Sequence, residues 1–583
     1  MGHWRLLAVA IIFLCLLGCS RPWVQDGTVP LLPTSALPAA LSVSTVTPQP
    51  SAAAASPTTS VPTATACPVP AAEIPVWISN GIPVKMRIAI SGASGIRIVM
   101  DESAAVLKVV PGTEKTRVGI WVLALAAPFP TVADGIEAAD LQAAWQGKKT
   151  KGLEGHALLA APETVAILAA WWGSPAAGVV KIIPAGELSA TAWKEKTSWA
   201  VLPFEELNPR WKVLRLDGKS PYDRTFDAAT YSLAVPFSLK GADESLRQFA
   251  EKNPGLVKNP LLNRDPNKLT VLVMTGVSAL VRGTAYFMEQ KGLLFPGTEV
   301  RDWLRSADLT HISNEVSFNP KCPAPDPNDP NLRFCSQPKN IQLFEDMGVD
   351  IVELTGNHLN DFGADWWGYS LDLYRQRKWL FYGGGMNQAE ARRAVTLENH
   401  GNRLAFIGCN PAGPKPDWAT TEKGGTADCD YPEMGYLEAE IRRLKAEGYQ
   451  VIVSVQFFES YDPRPLPIHY RDFRRLADAG AVIVSGSQAH LPQAMELRND
   501  GFIHYGLGNL FFDQMDTPWP DTKDEFIDRH IFYDGRYLGV ELLTARLVEY
   551  VKPRPMTPSE REIILRRIFD VSGWSINTAT EWR

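Results

Sequence analysis

The feature that most constrains the fold is a series of short apolar runs that each end in polar side chains. The clearest run, residues 349–363 (VDIVELTGNHLNDFG), leads into Asn357 and His358 and then turns at Gly363. A short run rich in β-branched residues and closed by Gly and Asn predicts a buried strand. Because open α/β sheets bind ligands beyond the carboxyl ends of their strands, this stretch indicates a functional site.

Other apolar runs in the C-terminal half follow the same pattern. They cover residues 269–274, 307–316, 451–458, 481–487 and 503–513, and they deliver Glu315, Gln456, Glu459, Gln488, His490 and Asn509. A metal-assisted hydrolase needs carboxylate, amide and imidazole groups from several strand ends at one point, where a water molecule is activated. The recurrence therefore favours a ligand-binding α/β domain.

Chain length and charge set further bounds. A single hydrophobic core stops growing near ~250 to 300 residues, so a chain of 583 residues predicts two folded domains with additional segments. The formal net charge is only −6, and no basic block that could neutralise a run of phosphates is present. Nucleic acid is therefore not an expected partner, whereas acidic polymers are not excluded.

The N-terminus is typical of an exported protein. Residues 1–19 combine Arg5, an apolar run and Gly18 before Cys19, which predicts a secretory signal peptide that is too short to span a membrane. Residues 16–19 (LLGC) resemble a bacterial lipoprotein box, which implies lipidation of Cys19 and an extracytoplasmic protein anchored to the cell membrane. Simple secretion is the alternative.

Residues 20–70 are rich in Pro, Ser, Thr and Ala and predict a disordered linker.

Four cysteines remain in the part of the chain that we expect to fold. Export permits disulfides, and the separations of 13 and 20 residues favour the local pairs Cys322 with Cys335 and Cys409 with Cys429. Other pairings stay open. No Cys-x-x-Cys motif occurs, so a thiolate zinc site is not predicted.

Residues 71–245 alternate apolar runs with Ala-rich stretches and predict a smaller α/β domain, followed by a helix and polar connector over residues 246–268. Two segments, residues 135–148 and 216–239, weakly resemble type II periplasmic solute-binding proteins of the phosphate-binding kind. In those proteins such segments precede a YPL-type strand, and the counterpart here is Tyr231, Ser232 and Leu233. The resemblance implies a solute-binding role, and a scaffold domain without a ligand is an equal alternative.

From residue 269 to residue 583 the order of short motifs is distinctive. The motifs are Gly276-Val277, Ser313-Asn314-Glu315, Asn357-His358, Asp361-Phe362-Gly363, Gln456-Phe457-Phe458-Glu459, Gly486-Ser487-Gln488-Ala489-His490 and Tyr505-Gly506-Leu507-Gly508-Asn509-Leu510. In this order they resemble capsule biosynthesis proteins of the CapA or poly-γ-glutamate synthesis type, within the calcineurin-like metallophosphatase superfamily. The resemblance implies an α/β fold, namely a metallophosphatase-like four-layer β-sandwich flanked by helices.

The resemblance also implies roles for individual residues. Glu315, Asn357 and His490 would be metal ligands, and His358 would donate a proton to the leaving group. Val277, Gln456 and Gln488 stand where the family offers a metal-binding Asp and two metal-binding His, and Glu459 falls one place before the family's acid. Valine cannot bind a metal, and a neutral amide is a weaker ligand than imidazole for zinc, iron or manganese. Gln456, Gln488 and Glu459 are therefore at most weak ligands or supporting groups.

Two functional hypotheses follow. In the first, one divalent metal ion (manganese, zinc, iron or calcium) assists hydrolysis or transfer on an envelope polymer such as poly-γ-glutamate or a polysaccharide. In the second, the metal site is degenerate, no metal binds, and the domain holds a polymer or a partner protein. Structural roles are alternatives at each position: Glu315 paired with Arg282, His490 bonded to backbone, and Gln456 and Gln488 filling the vacated site.

Overall fold

The computed structural model describes residues 73–114, 116–515 and 520–574. Cys19, the predicted signal peptide and the predicted linker lie outside these residues. Strands and helices alternate along the described chain, which confirms the predicted mixed α/β class. No helix within these ranges is both long and apolar enough to cross a membrane.

The N-terminal block, residues 73–262, is built on one sheet with the order β2-β1-β3-β11-β4-β8-β6-β7, and β9 and β12 also pair with β4. The strands are β1 Ile74–Ile78, β2 Ile96–Val99, β3 Leu107–Pro111, β4 Thr116–Pro128, β5 Gly135–Ile136, β6 Ala157–Ala160, β7 Val180–Ile182, β8 Ser198–Pro203, β9 Trp211–Val213, β10 Arg215–Leu216, β11 Ala234–Gly241 and β12 Leu261–Leu262. The helices are α1 Val84–Ser91, α2 Ala138–Trp145, α3 Pro162–Trp172, α4 Leu188–Glu195, α5 Asp243–Lys252 and α6 Pro254–Lys258.

The C-terminal block, residues 269–571, contains two larger sheets, with the orders β16-β15-β14-β13-β26-β27-β28 and β18-β19-β21-β22-β24-β23. The strands are β13 Leu269–Ser278, β14 Leu309–Asn314, β15 Ile351–Glu353, β16 Leu380–Tyr382, β17 Gly384–Gly385, β18 Val395–Asn399, β19 Asn402–Cys409, β20 Gly425–Thr426, β21 Gln450–Gln456, β22 Ile483–Ser487, β23 Met495–Arg498, β24 Gly501–His504, β25 Asn509–Phe511, β26 Asp524–Tyr533, β27 Arg536–Val548 and β28 Lys552–Pro555. The helices are α7 Arg282–Lys291, α8 Arg301–Arg305, α9 Gln342–Met347, α10 Ala364–Gln376, α11 Gln388–Ala391, α12 Gly435–Ala446, α13 Pro467–Ala479 and α14 Pro558–Val571.

The two sheets of the C-terminal block face each other across a shared apolar core. Leu272 and Ile351 of the first sheet lie in one cluster with Phe406, Ile452 and Phe502 of the second. Each fully buried side chain of this kind contributes about 1.5–3 kcal/mol relative to exposure, so the facing surfaces hold the sheets together.

Helices cover the outer faces of both sheets. Leu304, Phe344 and Leu371 of α8, α9 and α10 pack in one cluster with strands β13 to β15. Leu437 and Phe473 of α12 and α13 pack in another cluster with β21, β22 and β24. The order of layers is helix, sheet, sheet, helix. The carboxyl ends of the parallel strands β13, β14 and β15, and of β19, β21 and β22, carry the loops of the site.

One predicted strand proves to be two. The run 503–513 was expected to form a single strand, but β24 ends at His504 in the second sheet and β25 begins at Asn509 in the first. The chain crosses between the sheets at Gly508, whose φ of +84° is unfavourable for residues with a Cβ atom. The prediction of one strand is therefore wrong, because the apolar composition of the run concealed the crossing.

Both predicted disulfides are confirmed. Cys322 bonds Cys335 with their Cα atoms 5.8 Å apart, and Cys409 bonds Cys429 with a Cα separation of 5.3 Å. The first closes a loop between β14 and α9, and the second joins the end of β19 to the segment before α12. Both loops adjoin the strand ends that carry the site.

Candidate functional site

Four side chains from separate strand ends meet in one buried cluster, which we call the amide cluster: Glu315, Asn357, Gln456 and Gln488. The Gln456 Nε2 group donates hydrogen bonds to Glu315 Oε1 and to Asn357 Oδ1, both at 3.1 Å, and it also contacts Gln488 Oε1. Glu315, Gln456 and Gln488 are each less than 10% exposed. The Gln456 amide nitrogen therefore lies among three side-chain oxygen atoms. The resemblance assigns two of them, from Glu315 and Asn357, to metal ligands, and the third belongs to Gln488, which stands in place of a metal-binding His.

The backbone around the cluster explains how these side chains meet. A Cβ atom on Gly356 would lie 2.7 Å from Glu315 Cα, so only glycine lets the loop after β15 approach the end of β14 this closely. The Glu315 N–H donates to Ser278 O at 3.0 Å, which fixes Glu315 beside β13. Gln488 has a φ of +77°, a conformation rare for residues other than glycine.

The Glu315 carboxylate is only partly satisfied. Its Oε1 atom accepts from Gln456, while Oε2 is buried and has no hydrogen-bond partner among the described residues. A buried carboxylate oxygen without a donor is costly. The unpaired oxygen is the feature of the cluster that could accept a hydrogen bond from, or coordinate, a ligand.

Glu353 lies on β15 close enough to Glu315 to be influenced by its charge. Burial raises the pKa of Glu353 to about 7, hydrogen bonds with Thr355 and Ser313 oppose this rise, and the charge of Glu315 adds to it. At neutral pH this carboxyl group is therefore close to half protonated.

We expect Glu353→Gln to change how stability depends on pH. Between pH 4.5 and pH 7 the folded protein retains a proton that the unfolded chain releases, so the parent loses stability as pH rises through this window. The neutral variant lacks this loss and should gain up to about 3 kcal/mol relative to the parent between pH 4.5 and pH 8. Urea unfolding at both pH values measures the difference. Asp372→Asn, at an exposed side chain, is the control, and an equal Glu353→Gln effect at both pH values would contradict the prediction.

His358 is held beside the amide cluster by an acidic partner. Its Nδ1 atom is 2.8 Å from Asp361 Oδ2, and the Phe334 ring centroid is 4.4 Å from that of the imidazole. Burial lowers the pKa of His358, but the hydrogen bond to Asp361 and the charges of Glu315, Asp361 and Asp417 outweigh it and leave the pKa raised. The raised pKa favours the protonated imidazole more than in a free histidine, and this direction suits a proton donor.

Asp417 is close enough to Asp361 and His358 to be influenced by their charges, and the sequence analysis did not single it out. Burial and the nearby charge of Asp361 raise its pKa to about 7, and its Oδ2 atom has no hydrogen-bond partner in the described part of the chain. Asp417 lies in the long loop after β19, not at a strand end. No strand pattern could therefore have identified it.

His490 contacts side chains that are not part of the amide cluster. Its Nδ1 atom is 2.9 Å from Asn509 Oδ1, so its partner is a side chain and not backbone as one alternative proposed. Its Nε2 atom is 4.0 Å from Glu459 Oε1, and Glu459 also accepts a hydrogen bond of 2.6 Å from the Tyr461 hydroxyl. His490 and Glu459 thus form a second polar group near the same edge.

Arg282 does not pair with Glu315. It forms an ion pair of 2.7 Å with Asp513, and its guanidinium group lies over the rings of Phe334 and Phe512 at 4.9 and 5.1 Å. Val277, which stands where the resemblance places a metal-binding Asp, is buried in β13 and donates its N–H to Gly508 O.

The donor set at the cluster does not fit a zinc, iron or manganese ion. Within the residues that the structure describes, no three His, Cys, Asp or Glu side chains are grouped so that they could hold a metal. The cluster supplies one carboxylate and neutral amide oxygens, whereas these metals favour imidazole and carboxylate ligands. The oxygens that face the centre accept hydrogen bonds from Gln456 instead.

The two facing sheets and the strand-end site define an α/β protein with a candidate site at the carboxyl ends of its parallel strands. Residues 271–514 match the family model of the bacterial capsule synthesis protein PGA_cap, and this part of the chain contains the strand ends that carry the candidate site. This part of the chain is similar to the CapA or poly-γ-glutamate synthesis proteins, as its motifs indicated.

Two curated relatives carry names of the same kind. The capsule biosynthesis protein CapA of Bacillus anthracis is 24% identical over 304 residues, which covers 51% of this chain and 72% of the relative. The PGA biosynthesis protein CapA of Bacillus subtilis (strain 168) is 24% identical over 209 residues, covering 36% of this chain and 53% of the relative. The chain thus spans about half the length of the second relative.

Solved structures show only distant likeness. A phosphate transport receptor from Vibrio cholerae matches 32% of this chain and 94% of its own length, with 13% identity and a TM-score of 0.26. A hypothetical protein from Thermus thermophilus covers 48% of this chain and all of its own, with 15% identity and a TM-score of 0.30. Such low TM-scores do not establish a shared fold.

Proposed function

We propose that this protein serves the biosynthesis of a capsular polymer of the poly-γ-glutamate type as a polymer- or partner-binding protein, without metal-assisted chemistry at its amide cluster. The observation that carries this proposal is the Gln456 amide group, which donates to Glu315 and Asn357 and contacts Gln488. Oxygen atoms that would bind a metal are thereby engaged in hydrogen bonds within the cluster.

The second candidate is a hydrolase or transferase that uses one divalent metal ion on the same polymer. Two observations favour it: the unpaired Oε2 atom of Glu315 and the raised pKa of His358 beside Asp361. A hard cation such as calcium suits carboxylate and amide oxygens better than zinc does. In this alternative His358 would be positioned as the proton donor.

The layered arrangement and the disulfides support the remaining parts of the proposal. Two facing sheets with helices on both outer faces are what a metallophosphatase-like sandwich requires, and we propose that fold for residues 269–583. Disulfides persist in oxidising compartments, so the pairs Cys322–Cys335 and Cys409–Cys429 support an extracytoplasmic location. We propose that lipidation of Cys19 anchors the protein to the cell membrane.

Elemental analysis decides between the two candidates. After incubation of the full chain with manganese, zinc, iron and calcium, followed by desalting, we expect no stoichiometric metal, because the cluster oxygens already accept hydrogen bonds. The double variant Glu315→Ala, His490→Ala is the matched control. One equivalent of metal in the parent that is lost in this variant would overturn the binding proposal in favour of the enzyme.

The capsular role is tested separately in cells. A strain that lacks this chain should lose most of its envelope polymer, measured as polymer released by hydrolysis per cell, and the parent gene should restore it. Unchanged polymer would contradict the capsular role whatever the metal content.

A further inference from the structure

The N-terminal block contains a concave pocket that the proposed function leaves unused. Its volume is about 540 Å³, within the range of typical ligand sites. It lies between the end of α2, a 3₁₀ turn at Lys151–Leu153 and the start of β6. We call it the lysine pocket, and its lining residues are Ala144, Gly147, Lys148, Lys149, Thr150, Lys151, Leu153, Glu154, Gly155, His156, Leu158 and Val179.

The charge of the lysine pocket is opposite to that of the whole chain. Lys148, Lys149 and Lys151 are exposed at its wall, and Glu154 is the one acidic side chain among the lining residues. Three lysines against one glutamate leave an excess of two positive charges, although the chain carries −6. None of the three ammonium groups forms an ion pair or a side-chain hydrogen bond with the residues that the structure describes, so all three are available to an anion.

The inner wall of the pocket is fixed and carries a hydrogen-bond acceptor. The His156 ring stacks on Trp199 with centroids 4.1 Å apart, and its Nδ1 atom is 3.0 Å from Thr197 O. Burial lowers the pKa of His156 more than the bond to Thr197 raises it, which favours the neutral ring. Since Nδ1 then donates to the carbonyl, Nε2 holds the lone pair and accepts.

We propose that the lysine pocket binds a segment of a linear polycarboxylate, and the choice of poly-γ-glutamate within that class rests on the proposed function. Each residue of that polymer carries one free carboxylate and one amide N–H. The lysine ammonium groups pair with carboxylates, and His156 Nε2 accepts from an amide N–H. A polymer with both groups at regular spacing therefore matches the pocket.

Nucleic acid is a poorer match for the same pocket. Proteins that bind single strands combine long basic grooves with aromatic rings on which bases stack. Trp199 is 1% exposed and lies behind His156, so it offers no stacking surface.

Binding of a fluorescently labelled poly-γ-glutamate to the full chain in detergent, followed by anisotropy, tests the proposal. The triple variant Lys148→Ala, Lys149→Ala, Lys151→Ala should bind at least roughly tenfold more weakly, because each exposed ion pair contributes up to about 1 kcal/mol. The control with the same change in charge is Lys240→Ala, Lys258→Ala, Lys445→Ala, at exposed lysines outside the pocket. Glu154→Gln should act in the opposite direction and strengthen binding, because it removes the repelling carboxylate.

A comparison of polymers tests the chemical class. His156→Ala should weaken binding of poly-γ-glutamate but not of polyacrylate, which has carboxylates and no amide groups. Equal binding by the parent and the pocket triple variant would overturn the pocket and leave the capsular role intact. If neither protein binds the polymer, the proposal that the lysine pocket binds it is also wrong. The capsular role is then still tested by polymer production in cells. If the pocket triple variant loses binding of single-stranded DNA and of poly-γ-glutamate to the same extent, the proposal that the pocket is specific for polycarboxylates is wrong.

Discussion

Glu541→Ala should destabilise the folded protein by about 3–5 kcal/mol, because removal of one partner from a buried ion pair leaves the other charge uncompensated. The Glu541 carboxylate contacts the Arg529 guanidinium group, whose side chain is 5% exposed, and it accepts from Arg215 at 3.1 Å. Asp223 lies 2.9 Å from Arg215 and 3.5 Å from Arg529. Without Glu541, two arginines would share one carboxylate.

The measurement is chemical denaturation followed by tryptophan fluorescence. Glu562→Ala, which removes an exposed ion pair with Arg566 on α14, is the matched control and should cost no more than about 1 kcal/mol. A Glu541→Ala loss as small as that of the control would contradict the prediction. The pair replacement Arg529→Met, Glu541→Leu should recover much of the loss, because apolar side chains of similar size carry no desolvation cost.

The same network joins the two blocks of the chain. Arg215 and Asp223 belong to the N-terminal block, while Arg529 and Glu541 lie on β26 and β27 of the C-terminal block. Tyr222 Oη of the N-terminal block also donates to Leu538 O of the C-terminal block at 3.3 Å. These contacts imply that the blocks unfold together, so Glu541→Ala should shift a single transition.

Short sequence patterns predicted the features that depend on residues close together in the chain. The strand ends, the disulfide between Cys322 and Cys335 and the gathering of Glu315, Asn357 and Gln456 depend on apolar runs and short separations. The ion network does not, because 326 residues separate Arg215 from Glu541 and neither lies in a recognisable motif. Long-range pairs of this kind require the tertiary structure.

The amide cluster shows what the residue pattern leaves undecided once the structure has brought the predicted side chains together. Gln456 stands where the resemblance places an imidazole, but residue type alone does not say whether its oxygen or its nitrogen faces the centre. That orientation decides between a metal ligand and a hydrogen-bond donor. In the structure the nitrogen faces Glu315 and Asn357, and this is the observation on which the proposed binding function rests.

Restoring imidazoles should therefore restore metal binding. We expect Gln456→His, Gln488→His to retain about one equivalent of zinc or manganese through desalting, where the parent retains none. The substitution removes the donor that occupies Glu315 Oε1 and Asn357 Oδ1 and supplies two neutral nitrogen ligands beside them. A change from millimolar to micromolar affinity corresponds to about 4 kcal/mol of binding free energy.

Calorimetric titration with zinc and elemental analysis measure this gain. Adding Glu315→Gln to the double variant is the matched control, since it removes the only carboxylate of the cluster while preserving its shape, and it should abolish the bound metal. Metal retained equally with Gln at position 315 would show that the ion binds elsewhere. No metal in the double variant would contradict the prediction that the two glutamines alone prevent metal binding, and would leave the buried Val277, where the resemblance places a carboxylate, as a second candidate cause. Adding Val277→Asp to the double variant then tests this cause, because metal binding would return only if the carboxylate at position 277 was the ligand still lacking.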